Sequence, residues 1–138
     1  MQDDRLDRSL SYALVRAFRR INRASGLAVQ GFGISAEQAH ILLVLWRQGP
    51  LKVGQLQRML SLSSGTLTGA LDRMDQAGLV RRVRHPQDGR AFTVEAASFD
   101  PKRRRAIEAA LETMEDQAFG ALSTAERDAL LRLLRKLA

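Results

Sequence analysis

The sequence predicts a mainly α fold carrying one small β-hairpin, in the order α-α-α-α-β-β-α-α. Three observations lead there. Apolar residues recur at helical spacing through most of the 138 residues. Start and stop signals cut that pattern into separate helices. The period becomes that of strands only around a Pro86-Gln87-Asp88-Gly89 turn. The length suits a single domain, 1–138, able to bury a core without cross-links.

The first helix is expected over 4–24, with Leu6, Leu10, Ala13, Leu14, Ala17, Phe18 and Ile21 on one stripe and arginines elsewhere. Gly26, Gly31 and Gly33 then imply a connecting loop of roughly ten residues. The second helix starts at Ser35, where Gln38 completes a capping box and Ile34 takes the staple position. It carries Ile41, Leu42, Leu45 and Trp46, stops at Gly49-Pro50, and should be the most buried. A short third helix presents Val53, Leu56, Met59 and Leu60. A fourth, capped by Ser63 and closed by Gly78, turns Leu67, Ala70, Leu71 and Met74 inward.

Two strands follow. Val80 and Val83 stand against Arg81, Arg82 and Arg84 in the first, and Phe92-Thr93-Val94 returns as the second. Asp100-Pro101 caps a long helix striped by Ile107, Ala110, Leu111, Met114 and Ala118. Ser123 and Glu126 box the start of the last helix, which shows Leu130, Leu133, Leu134 and Leu137. No internal repeat breaks the series.

Composition excludes several functions. There is no cysteine, hence no disulfide scaffold, thiolate metal site or cysteine nucleophile. The longest apolar run, Ile41 to Trp46, is far short of the ~20 residues that span a bilayer. No phosphate loop, nucleophile elbow or metal-ligand spacing occurs, so no enzyme, metal or cofactor is expected, nor a membrane partner. Asp3, Asp4 and Asp7 argue against an organelle transit peptide, leaving a cytoplasmic protein as the expectation. Basic residues exceed acidic ones by 22 to 15, and arginine supplies 19 of the 22. Its planar fork suits phosphates and guanine edges, so duplex DNA is the expected partner.

Three helices followed by a hairpin make a winged helix-turn-helix, placed here at 34–98. In that arrangement the second helix of the turn enters the major groove, N-terminal residues foremost. Ser63, Ser64, Thr66 and Thr68 offer hydroxyls there, and Gly65 and Gly69 let the backbone come close. Such hydroxyls also serve simply as caps. Arg73, Arg84 and the hairpin-tip Arg90 complete the expected DNA-binding set, Arg90 reaching a narrow minor groove. Arg82 is expected to pair with Asp88 or a neighbouring acid and so to support the wing. Lys102-Arg103-Arg104-Arg105 reads as a solvated first turn.

The stretch Thr66-Leu67-Thr68-Gly69-Ala70-Leu71-Asp72-Arg73-Met74, closing in Ala77-Gly78-Leu79-Val80-Arg81-Arg82, resembles the recognition helix of MarR-family transcriptional regulators. Asp88-Gly89-Arg90 is similar to that family's Asp-x-Arg wing signature. One departure stands out. Phe99-Asp100-Pro101-Lys102-Arg103 replaces the family's Leu-Thr-x-x-Gly opening of the helix after the wing, which bears on the wing's length and angle. The resemblance implies a homodimeric repressor or activator, read here as a repressor on a pseudo-palindromic operator. Its helical dimerisation layer would be 4–24 and 100–138. The surplus leucines of the last helix agree with that. The resemblance also implies a small-molecule effector pocket between the two layers, where Tyr12, His40 and Trp46 would converge; by its place in the most buried helix His40 reads first as a core histidine. The competing reading is a winged-helix protein-interaction module that no longer binds DNA. The clustering of Arg73, Arg90 and the strand arginines around a hydroxylic helix start speaks for DNA.

Overall fold

The computed structural model describes residues 4–85 and 88–138, giving only the backbone course for 85 and 88–91. Its helices are α1 (Asp4–Asp7), α2 (Leu10–Val29), α3 (Ala36–Gln48), α4 (Val53–Leu60), α5 (Ser64–Gln76), α6 (Pro101–Ala118) and α7 (Thr124–Arg135). The strands are β1 (Leu51–Lys52), β2 (Val80–His85) and β3 (Asp88–Ala96).

Local chemistry sets most of the boundaries. Ser35 and Gln38 form the reciprocal capping box at the start of α3, as do Ser123 and Glu126 at α7. Asp100 accepts from the Lys102 N–H at 3.1 Å, with Pro101 in the first turn of α6. Helix α3 is the centre of the core, burying Ala36, Ala39, Ile41, Leu42 and Leu45. Against it pack Val29 of α2, Leu56 of α4, the inner face of α5, Val80 and Val94 of the sheet, and Ile107 and Leu111 of α6. Each of the larger side chains contributes about 1.5–3 kcal/mol by leaving water.

Four expectations are corrected. The first helix is neither continuous from its start nor ended by Gly26. Ser9 caps a new helix by accepting from the Tyr12 N–H at 3.2 Å, and α2 then runs through Gly26 to Val29 before a 3-10 turn at Gln30–Phe32. A helical glycine costs roughly 1 kcal/mol, but stopping there would strip the core of Val29, which is 0% exposed. The sheet has three strands, not two, in the order β1-β3-β2. Leu51 and Lys52 pair with Val94 and Thr93, a strand too short to show any period in sequence. Val80 and Val83 lie on opposite faces, since residues three apart on a strand must; Val80 is buried and Val83 exposed. Met59 sits at the edge of its helical stripe and is exposed, while Leu56 is fully buried.

Helix α7 buries nothing. It is tied to the end of α6 by Arg127, which donates to the Phe119 and Asp116 carbonyls at 3.3 and 3.1 Å. Leu131, Leu133 and Leu134 of α7, with Leu10, Leu14 and Phe18 of α2, remain open to solvent. No single helix among the described residues is long and apolar enough to cross a membrane.

Candidate nucleic-acid interface

The turn between α4 and α5 is made by Ser61, whose φ of 51° and ψ of 39° lie in the left-handed region. That conformation costs an ordinary residue roughly 1–2 kcal/mol, and it turns the chain out of α4 before α5 begins. Ser63 then caps α5. Its Oγ accepts from the Thr66 N–H at 3.2 Å and donates to Thr66 Oγ1 at 2.8 Å. The Ser63 hydroxyl is therefore committed to the helix start.

Leu67, Ala70, Leu71 and Met74 are the buried face of α5. Ser64, Gly65, Thr66, Thr68 and Arg73 are all exposed on its other side. Among the described residues, the Ser64 and Thr68 hydroxyls and the Arg73 guanidinium have no hydrogen-bond or ion-pair partner. An added Cβ at Gly65 would meet open space; at Gly69 it would meet Arg73 Nη1 at 3.4 Å, so that arginine lies across the glycine. The result is a helix start with bare backbone, free hydroxyls and amides at the positive end of the helix dipole, with the Arg73 guanidinium reaching back from the last turn as far as Gly69.

The sheet arginines divide by strand face. Arg82 shares a face with the buried Val80 and points back to α5, where Nη2 donates to Asp72 Oδ1 at 2.6 Å. This pair ties β2 to α5. Arg81, on the opposite face, donates to Glu95 Oε1 of β3 at 2.6 Å, directly across the strand pair. Arg84 lies over the Phe92 ring at 5.3 Å with its guanidinium otherwise exposed. Asp88 and Arg90 belong to β3 by backbone, and their side chains lie outside the described residues.

Tyr12, His40 and Trp46 share no cavity among the described residues. His40 and Trp46 are six residues apart on one helix, which turns their side chains about 120° away from each other. His40 lines two small cavities, one of about 130 Å³ beside Phe18, Asn22 and Leu60, the other of about 220 Å³ beside Ser25, Leu111 and Glu115. Burial lowers its pKa, against a smaller upward pull from Glu37. Trp46 lines a separate cleft with Phe99 and Arg104. Tyr12 is 39% exposed near the start of α2, with Arg16 over its ring.

Nor is the Lys102–Arg105 run a solvated turn throughout. Arg103 donates to the Phe32 carbonyl at 2.9 Å, and Arg104 donates to Glu108 at 3.0 Å while covering Trp46. Sequence reasoning also passed over Asp72 and Glu95, whose roles depend on strand and helix register.

Comparison with known proteins fits this geometry. The family model described as MarR family matches residues 34–92. The transcriptional regulator TtmR of Methylorubrum extorquens is 35% identical over 64% of this chain, which spans 46% of that protein. A probable transcriptional regulator from Pseudomonas aeruginosa is 30% identical, with a TM-score of 0.81 over 96% of this chain and 99% of its own. A MarR variant from E. coli, solved with operator DNA, has the same fold at 22% identity, with a TM-score of 0.83 over 93% of this chain and 92% of its own.

Proposed function

Because this chain belongs to the MarR family of transcriptional regulators, we propose that it is a cytoplasmic, homodimeric repressor binding a pseudo-palindromic duplex operator. The observation that carries the reading is the outer face of α5: Ser64, Thr66 and Thr68 near its start and Arg73 in its last turn are exposed, with Gly65 leaving backbone open beside the hydroxyls. Hydroxyls and a guanidinium in that setting match base edges and phosphates of the major groove. A protein of the same fold, the E. coli MarR variant, was solved with operator DNA, which supports a duplex as the partner.

Residues 34–98 are the DNA-binding part in this reading, and 4–24 with 100–138 form the dimerisation layer. Leu10, Phe18 and Leu137 are 82%, 67% and 74% exposed in the single chain, apolar surface that a second copy would cover. Ser63 acts as the cap, and Arg84 and Arg90 take the wing contacts, Arg90 in a narrow minor groove. Arg82 supports the wing through Asp72; Asp88 is assigned a supporting role at the hairpin tip. A small-molecule effector would enter beside His40, between α2, α3 and α6.

Genomic fragments selected on the purified protein, then titrated against salt, test the proposal. Neutralising 6–10 phosphates should cost roughly 10³-fold or more in affinity between 50 and 200 mM salt. The recovered half-sites should lie about one helical turn, ~34 Å, apart. A flat salt response, or fragments without a shared half-site, would refute it.

A further inference from the structure

The departure at Phe99-Asp100-Pro101 replaces an expected helix opening with an aromatic side chain, and the fold gives that side chain a specific seat. Asp100 caps α6 and Pro101 fixes its first turn, so Phe99 stands just outside the helix. Its ring meets Trp46 of α3 edge-on, with centroids 5.3 Å apart and planes at 81°. Arg103 covers Phe99 at 5.4 Å and Arg104 covers Trp46 at 5.2 Å. Both guanidiniums are anchored, Arg103 on the Phe32 carbonyl and Arg104 on Glu108 and the Trp46 carbonyl. The end of α3, the turn after α2 and the first turn of α6 thus meet around two rings in edge contact.

This cluster also lies just beyond the point where the chain leaves the sheet at the base of the hairpin. Strand β3 ends at Ala96, and the Ala97 N–H still donates to the Leu79 carbonyl at 3.0 Å. Only Ala97 and Ser98 lie between the last strand residue and Phe99. A hairpin held at its base is a lever. With β2 roughly 20 Å long at strand rise, a tilt of about 10° at the base moves the far end by ~3.5 Å, more than a hydrogen bond tolerates.

We infer that Phe99 is a positioning residue for DNA recognition: its edge contact with Trp46 sets the angle at which the wing meets the duplex. The inference rests on the duplex-DNA reading above. An aromatic edge suits the task because it is directional, whereas an aliphatic side chain of similar volume fills the gap without fixing orientation.

The test compares wild type, Phe99→Ala, Phe99→Leu and Phe99→Tyr as full-length chains, on operator variants substituted either centrally or at the flanks of each half-site. Trp46 is the sole tryptophan and reports the contact directly. Phe99→Leu should fold and dimerise as wild type, shift Trp46 emission, and reduce discrimination at flanking positions about fivefold or more while central discrimination stays. Phe99→Ala should do the same, and Phe99→Tyr should retain wild-type behaviour in both respects. Unchanged emission in Phe99→Leu, or an equal loss at flanking and central positions, would overturn the assignment while leaving DNA binding in place. Wild type that selects no duplex would overturn the functional reading and this inference together.

Discussion

At the scale of the residue, the fold depends on a few polar contacts whose partners come from distant parts of the chain. Arg82 and Asp72 join β2 to α5 at 2.6 Å, with Asp72 54% exposed. An exposed pair of this kind is worth about 0.2–1 kcal/mol. A double-mutant cycle with Arg82→Gln and Asp72→Asn should return coupling in that range at low salt and less at high salt. Zero coupling at both would mean that packing alone aligns strand and helix. His40 carries a different signature. Burial favours its neutral form, so its folded pKa lies below the ordinary 6.5 and the unfolded chain takes up the proton first. Its contribution to stability is therefore complete above that value and declines as pH falls through it. His40→Gln should give a flatter melting temperature between pH 7.5 and 5.5 than wild type; identical slopes would show that the imidazole is solvated in both states.

At the scale of the element, the proposed reading has α5 separate structure from recognition within two adjacent serines. Ser63 holds the Thr66 N–H and hydroxyl, whereas the Ser64 hydroxyl has no partner among the described residues. Ser63→Ala should therefore lower stability by about 1 kcal/mol, the usual cost of losing an N-cap. Ser64→Ala should leave the melting curve in place and change base preference at the centre of the half-site. Thermal melts and operator-variant titrations on the two proteins check this, and a reversal of the two effects would exchange their assigned roles. The inner face of α5 was legible beforehand. Leu67, Ala70, Leu71 and Met74 follow helical period, and the structure buries all four.

At the scale of the whole molecule, the single chain leaves its two ends apolar and open. Helix α7 has no buried residue, and Leu131 and Leu133 are each 50% exposed. Such a surface is a poor match for water and a good one for its own copy. Sedimentation at micromolar concentration should show a dimer, and Leu134→Asp should shift it toward monomer with a parallel loss of operator affinity, since one subunit reads only half a palindrome. A stable wild-type monomer that binds the operator tightly would contradict the dimeric arrangement.

The sequence alone determined where α3, α5, α6 and α7 begin and which face of α5 is apolar. Ser35, Ser63, Asp100 and Ser123 cap by contacts within three residues of themselves, so nothing beyond the neighbouring turn is needed to recognise them. Tertiary structure decided what those local rules leave open. Gly26 stays helical because Val29 beyond it is needed in the core. Leu51 and Lys52 become a strand only because β3 lies alongside. Arg82 selects Asp72, and Phe99 selects Trp46, across separations of 10 and 53 residues that no sequence period encodes. Caps and periods are settled by the chain's own neighbourhood. Strand register, helix rotation and the choice of ion-pair partner are settled by the close packing of elements that meet only once the chain has folded.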